Sequence, residues 1–301
     1  MSGALAARLG AALDRPPDPA VATLARELGK AAGARAVLFY GSNLRTGSLE
    51  GVLDFYVLLP GERETGLWPR VSYREKAHEG GTLRAKIATM TLATFAAAAR
   101  GETIDTTIWA RFVQPSALVW TGDDEAAGEV TAALAAAACT AARLAVAVGP
   151  RRGHEEDYWR ALFRATYRAE LRFEQPGRED TILAANRAHF EGLLPLALVD
   201  AGIPFEQDHA TFAPRLEPGE RGRILAWWRK RRQLGKALNL ARLARATATF
   251  DGAARYAAWK IERHTGVAIV LTPWRERHPL LAAPGVAWRY WRERRRRERG
   301  A

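Results

Sequence analysis

The chain has 301 residues, 48% of them apolar and 26% charged, with one cysteine and a formal net charge of +12 at neutral pH. That length and apolar content suffice for one or two modest domains with a real core and exclude a disordered chain. The lone Cys139 excludes an intramolecular disulfide and a cysteine-based zinc site, and it fits a reducing compartment. The charge sits at one end: residues 221–301 carry 21 Lys/Arg against 5 Asp/Glu, a net of +16, so residues 1–220 sum to −4. Such polarity points the C-terminal end toward an anionic surface, either phosphodiester backbone or anionic lipid.

The N-terminal Met1-Ser-Gly-Ala-Leu-Ala-Ala-Arg-Leu-Gly has no uninterrupted apolar run, and no export signal is expected. An Ala-rich amphipathic helix over 19–33 leads into a strand at 35–40, a Gly-Ser loop, and a second strand at 52–59 that stops at Pro60-Gly61. Extended runs follow at 82–90 and 117–120, with helices at 92–100 and 106–112 between them. From Asp124 onward the pattern predicts helices only, over 124–148, 155–173, 178–201 and 219–249. The stretch 130–148 is long enough to span a bilayer. It is mostly Ala, contains two Thr and Arg143, and lacks the high Leu, Ile and Phe content that favours insertion, so a buried helix is expected. His154-Glu-Glu-Asp157 reads as the acidic start of a helix rather than a metal site. The expected fold class is α+β: an α/β domain over 1–150, a helical domain over 151–250 after a hinge at 149–153, and a basic amphipathic segment over 251–301.

One acid is out of place. Asp54 stands within Val52-Leu-Asp-Phe-Tyr-Val-Leu-Leu59, where an unpaired buried charge costs several kcal/mol. Upstream, Tyr40-Gly41-Ser42 closes the previous strand. A Gly there lets backbone N–H groups approach a phosphate chain closely, the Ser hydroxyl adds a donor, and a divalent cation on Asp54 could bridge the same phosphates. A plain hairpin turn and an Asp54–Arg45 ion pair are the structural alternatives. Gly-Ser, a spacer of about ten residues, and an Asp in an apolar strand is the pattern of the nucleotidyltransferase superfamily. Position 56 is Tyr where that superfamily usually has a second strand acid.

Several short blocks, in order over about residues 35–195, narrow the resemblance. Phe39-Tyr-Gly-Ser42 with Leu53-Asp-Phe-Tyr56 resembles the peripheral, mitochondrial-maintenance type of phosphatidate cytidylyltransferase, which also carries a lone Asp-Phe. Leu83-Arg-Ala-Lys-Ile-Ala-Thr-Met90 is similar to its Lys-containing strand. Ala98-Ala-Arg100 and Trp109-Ala-Arg-Phe-Val-Gln-Pro115 resemble the segment after it, and Tyr167-Arg-Ala-Glu-Leu-Arg-Phe173 its Tyr-x-x-Asp-x-Arg block. The resemblance implies that Tyr40, Gly41, Ser42, Asn43 and Arg111 bind the nucleotide, that Asp54 binds Mg²⁺, and that Lys86 neutralises phosphate charge. It makes Glu170 the second metal carboxylate, although the family has Asp there, and leaves Arg172 phosphate-facing or structural.

In the basic end, Trp227-Trp-Arg-Lys-Arg-Arg232 and Tyr256-Ala-Ala-Trp-Lys260 mix aromatics with cations, as membrane-interface and nucleic-acid surfaces do. The tail places Trp288, Trp291, Arg292, Arg294 and Arg295 on an Arg-dense segment expected to bind anionic lipid. The expected activity is transfer of CMP from CTP to phosphatidate, with release of pyrophosphate, at the inner membrane face of a cytoplasmic protein. A nucleotidyltransferase with a soluble acceptor, tRNA or a small molecule, and a non-enzymatic nucleic-acid-binding protein are the rivals; the absence of a zinc finger or RNP aromatic motif weighs against nucleic acid.

Overall fold

The computed structural model describes residues 3–79, 81–169, 177–249 and 252–265, together with Thr272 and Trp274. Glu170 and Arg172 lie outside the described residues, as do Trp288, Trp291, Arg292, Arg294 and Arg295.

The protein is a mixed α+β fold. Helix α1 (Gly3–Leu13) buries Leu5, Leu9 and Leu13, which recur every four residues on one face. Helix α2 (Pro19–Ala32) starts on an Asp18 side chain that accepts from Ala20 N, with Pro19 at its first turn, and stops at Gly33, whose φ of 58° is left-handed. Strand β1 (Ala36–Tyr40) runs into a short helix α3 (Ser42–Thr46), and strand β2 (Leu53–Leu59) returns antiparallel to β1 with Tyr40 opposite Asp54. Strands β3 (Arg70–His78) and β4 (Gly81–Thr91) form a hairpin, and β4 lies parallel to β2 with Lys86 opposite Asp54. After helices α4 (Leu92–Ala99) and α5 (Thr107–Phe112), strand β5 (Ser116–Thr121) completes a five-stranded sheet of order β3-β4-β2-β1-β5.

Alternation along the strands sorts the two faces. Val37, Phe39, Leu53, Phe55 and Val57 pack under Val21, Leu24 and Leu28 of α2. Leu38, Tyr56, Leu58 and Met90 face the other way, onto α4 and α5. Gly29 is required where α2 rides over β5, because a Cβ there would sit 2.4 Å from the Trp120 ring.

Helix α6 (Asp124–Val148) is the hub. Its alanines let α1, α4, α5 and α7 (Glu155–Ala169) approach closely, and it is buried along most of the window that is long and apolar enough to cross a membrane. Beyond it the expected all-helical half is interrupted. Strands β6 (Gly153–His154), β7 (Phe205–Asp208) and β8 (Thr211–Pro214) make a second, three-stranded sheet, anchored by the buried Tyr158 hydroxyl donating to Phe212 O at 2.8 Å. The helix expected over 178–201 is three, α8 (Arg178–Ala185), α9 (Arg187–Phe190) and α10 (Leu193–Asp200), broken at Asn186 and at Gly192, which is left-handed at φ 73°. One apolar core, from Leu5 through Leu144 and Trp159 to Trp228, runs across the 149–153 junction.

Helices α11 (Glu220–Thr249) and α12 (Ala253–Thr265) fold the basic end back onto this body. The Trp-Trp-Arg-Lys-Arg-Arg run is therefore not an outward aromatic surface. Trp228 is buried, Trp227 stacks near Trp109 and donates to Gly101 O, and Arg231 is buried against the Trp227 ring, with its guanidinium pushed down to about 10 by burial. Arg242 of the same helix pairs with Asp105, whose carboxylate is buried and also accepts from Thr107 N and Ile108 N at the start of α5. Breaking a buried pair strands the other charge, so Asp105→Ala is expected to cost about 3–5 kcal/mol, and Asp105→Asn combined with Arg242→Met to recover part of it. Chemical denaturation checks this; a loss below about 1 kcal/mol would show that the pair does not hold α5.

Candidate functional site

The sheet edge, the Gly-Ser loop and helices α5, α7 and α8 enclose a cleft of about 320 Å³. Tyr40, Gly41, Ser42, Asp54, Lys86 and Arg111 all line it, although they come from three strands, the turn after β1 and two helices. Arg45, Gln114, Tyr167 and Asn186 complete much of its polar lining.

Register makes the floor. Parallel pairing sets Asp54 beside Lys86, and antiparallel pairing sets Tyr40 on the other side of Asp54, with all three side chains on the face turned toward α5. Gly41 ends β1 at φ 94° and ψ −163°, a region open to Gly and closed to side chains. A Cβ on Gly41 would stand 3.3 Å from Asp54 Oδ2. The glycine thus keeps space open directly over the carboxylate, as a cradle for a group that bonds to it.

The charge balance follows from burial. Protein surrounds Asp54 except toward the cleft, and this pushes its carboxyl above the usual carboxylate range; the positive charges of Lys86 and Arg111 pull the other way. Arg45, the alternative partner, lines the same cleft, but Lys86 and Arg111 are the charges that act on Asp54.

Tyr56 occupies the strand position two residues after Asp54. It lies on the same face as Asp54, fully buried, and its hydroxyl accepts from Arg111 Nη1 at 2.8 Å. The Arg111 guanidinium also lies 5.2 Å from the Tyr40 ring centroid, and aromatic contacts among Tyr40, Tyr56 and Phe112 fix this corner. A cation therefore stands where a carboxylate would otherwise point. Asn43 does not join the lining: it is buried beneath the loop, and its amide donates to Ser48 O and Glu50 O at 2.8 and 2.7 Å, stapling residues 43–50. Glu170, the implied second metal carboxylate, lies outside the described residues. Among the described residues no group of three or more His, Cys, Asp or Glu is arranged so that it could hold a metal ion. His154-Glu-Glu-Asp157 caps α7 as expected, with His154 N donating to Asp157 Oδ2 at 2.9 Å.

Helix α12 lies beside the cleft, a position that sequence reasoning missed. Tyr256 packs on Tyr73 of β3, which pairs with Lys86 across the strands, and its phenol is pushed up by burial and by the Asp54 charge. The aromatics and cations of 256–260 pointed to an interface of some kind; nothing in them indicated which surface the helix would meet.

No protein-family model matches the chain, and no curated protein matches it.

A lone carboxylate over an open glycine, flanked by Lys86 and Arg111, is an acceptable seat for a hard cation only when phosphate oxygens supply the remaining ligands. Without them Asp54 is a cost. Because its folded value is raised, the ionised carboxylate destabilises the fold, and stability is lost as pH rises from the ordinary carboxylate range through the raised value. Asp54→Asn is thus expected to raise Tm at pH 8, with the gain vanishing toward pH 4, and Mg²⁺ plus a nucleoside triphosphate to raise the Tm of the unsubstituted protein only. Thermal unfolding across pH tests both, and a variant less stable at pH 8 would remove the account of Asp54 as a strained binding group.

Proposed function

We propose that the protein is a nucleotidyltransferase of the phosphatidate cytidylyltransferase type, moving CMP from CTP to phosphatidate at a membrane surface. The observation that supports this reading is the convergence of Gly41, Ser42, Asp54, Lys86 and Arg111 on one cleft floor. The reaction joins an acceptor phosphate oxygen to the α-phosphorus, breaks the bond from the α-phosphorus to the bridging oxygen, and releases pyrophosphate with the bonding electrons. Phosphatidate presents its nucleophilic oxygen already ionised, which suits a floor with no histidine among its described residues.

The chain's own residues then have positioning and charge to supply. The space over Gly41 admits a phosphate chain close to the backbone, and the Ser42 hydroxyl can donate to it. Lys86 and Arg111 place positive charge where negative charge accumulates on the departing pyrophosphate, in a site walled from bulk water on several sides. Arg111 is fixed for this by Tyr56 and Tyr40, which limits the reorganisation needed at the transition state. Asp54 would hold the Mg²⁺, whose contribution is to neutralise phosphate oxygens.

The direct test is incubation with phosphatidate vesicles, Mg²⁺ and each labelled triphosphate in turn, reading label in the lipid phase. Label from CTP is expected; Asp54→Asn should abolish transfer while the fold persists, and Lys86→Met should lower kcat/KM by about 10²–10³-fold. Label reaching no lipid from any nucleotide, or full activity in Asp54→Asn, would overturn the reading.

A further inference from the structure

Helix α12 straps the cleft side of the β3–β4 edge. At its start Gly252 holds φ 80° and abuts β3 so closely that a Cβ would meet the Tyr73 carbonyl oxygen at 2.5 Å. Roughly 16 Å along the helix, Arg263 rests against the loop before β2, with Nη1 2.9 Å from where a Gly51 Cβ would stand. Between these anchors the Trp259 ring is flanked by two guanidinium groups, Arg84 at 5.5 Å and Arg263 at 5.3 Å. Arg84 is two residues before Lys86 and on the same face of β4. Its carboxylate neighbour is Glu75 at 3.4 Å, whereas Arg263 has no ion-pair partner among the described residues.

Along the strands, then, Arg111 stands at Tyr56, Asp54 and Lys86 form the middle, and Arg84 and Arg263 stand on the other side of them, level with the start of β2. A transfer between two phosphate esters requires this kind of division. The polyphosphate and an anionic acceptor repel each other, and in-line attack needs the acceptor on the side away from the departing pyrophosphate. Each anion therefore needs cations of its own. Guanidinium groups laid against an indole keep their planes fixed while N–H edges remain available for bidentate bonds to phosphate.

We propose that Arg84 and Arg263, held against Trp259, bind the phosphomonoester of the acceptor, so that α12 forms the acceptor wall of the cleft. This assignment rests on the nucleotidyl-transfer reading above. Helix α12 leads directly into residues 266–301, with their dense arginines, so the acceptor wall adjoins the segment expected to meet anionic lipid.

The test compares Arg84→Gln, Arg263→Gln and their Lys counterparts with the unsubstituted full chain, using a water-soluble short-chain phosphatidate, glycerol 3-phosphate and phosphatidate vesicles as separate acceptors. The Gln variants should raise KM for short-chain phosphatidate about tenfold each while KM for the nucleotide stays within about twofold, and the Lys variants should recover only part. Equal losses on soluble and vesicle acceptors locate the effect in phosphate binding; a loss confined to vesicles would overturn it in favour of a general membrane contact. A rise in nucleotide KM alone would assign the arginines to the polyphosphate and overturn the proposal, as would no change in either constant. Calorimetric binding of short-chain phosphatidate, done without nucleotide, keeps the two readings apart. Binding that is weakened in both Gln variants supports the acceptor wall even if no transfer is seen, and absent or unaltered binding overturns it even if transfer succeeds.

Discussion

A carboxylate set into an apolar strand, with a lysine beside it by strand register, is the constraint from which the rest of the site follows. Asp54 and Lys86 face the same way because β2 and β4 run parallel and in step, and a shift of one residue in either strand would send that strand's charge to the α2 side of the sheet. The apolar neighbours Leu53, Phe55 and Val57 prevent that shift, since each is fully or almost fully buried beneath α2. Hydrophobic packing on one face thereby fixes charge placement on the other. Gly41, Tyr56 and Arg111 fit around this pair: the glycine leaves room above the carboxylate, and the arginine supplies a cation that the Tyr56 hydroxyl anchors.

The strongly basic C-terminal quarter has two uses within one helix. Arg231 and Arg242 of α11 are spent internally, on Gly101 and Asp105, while Arg229, Lys230 and Arg232 remain exposed. A net charge read from sequence counts both kinds alike. Through Trp227 and Trp228 against Trp109, and Arg242 on Asp105, α11 holds α5 at its start and along its middle, and α5 carries Arg111 into the cleft. The portion of the chain with the most positive charge is thus mechanically joined to a residue at the candidate reaction centre.

Much of this was legible in the residues, and the failures have physical causes. β1, β2, β4, β5 and the long α6 were marked by apolar runs with clear period and clean stops. β3 was not, because Arg70-Val-Ser-Tyr-Arg-Glu-Lys-Ala-His78 is an edge strand with Tyr73 alone fully buried, so no alternation betrays it. The β7–β8 hairpin consists of strands of four residues, too short to impose a period. Asn186 and Gly192 were visible as helix breakers but were outweighed by the apolar content around them. Within the site, Asp54, Lys86 and Gly41 could be read because strand period and spacing are local. That Asn43 would staple its own loop depends on the conformation of residues 43–50, and that Tyr256 would pack on Tyr73 beside the cleft depends on long-range docking; one-dimensional pattern has no signal for either.

The route of the chain through the cleft has a temporal consequence. Its walls come from residues near 40, 54, 86, 111, 165 and 186, so well over half of the polypeptide must leave the ribosome before the last of them can close. Loop closure over such separations is slow compared with local helix formation. An N-terminal fragment ending before α7 can pair the strands of the large sheet, yet its cleft stays open along one edge. The enclosure is therefore finished only when α7 and α8 have joined the strands.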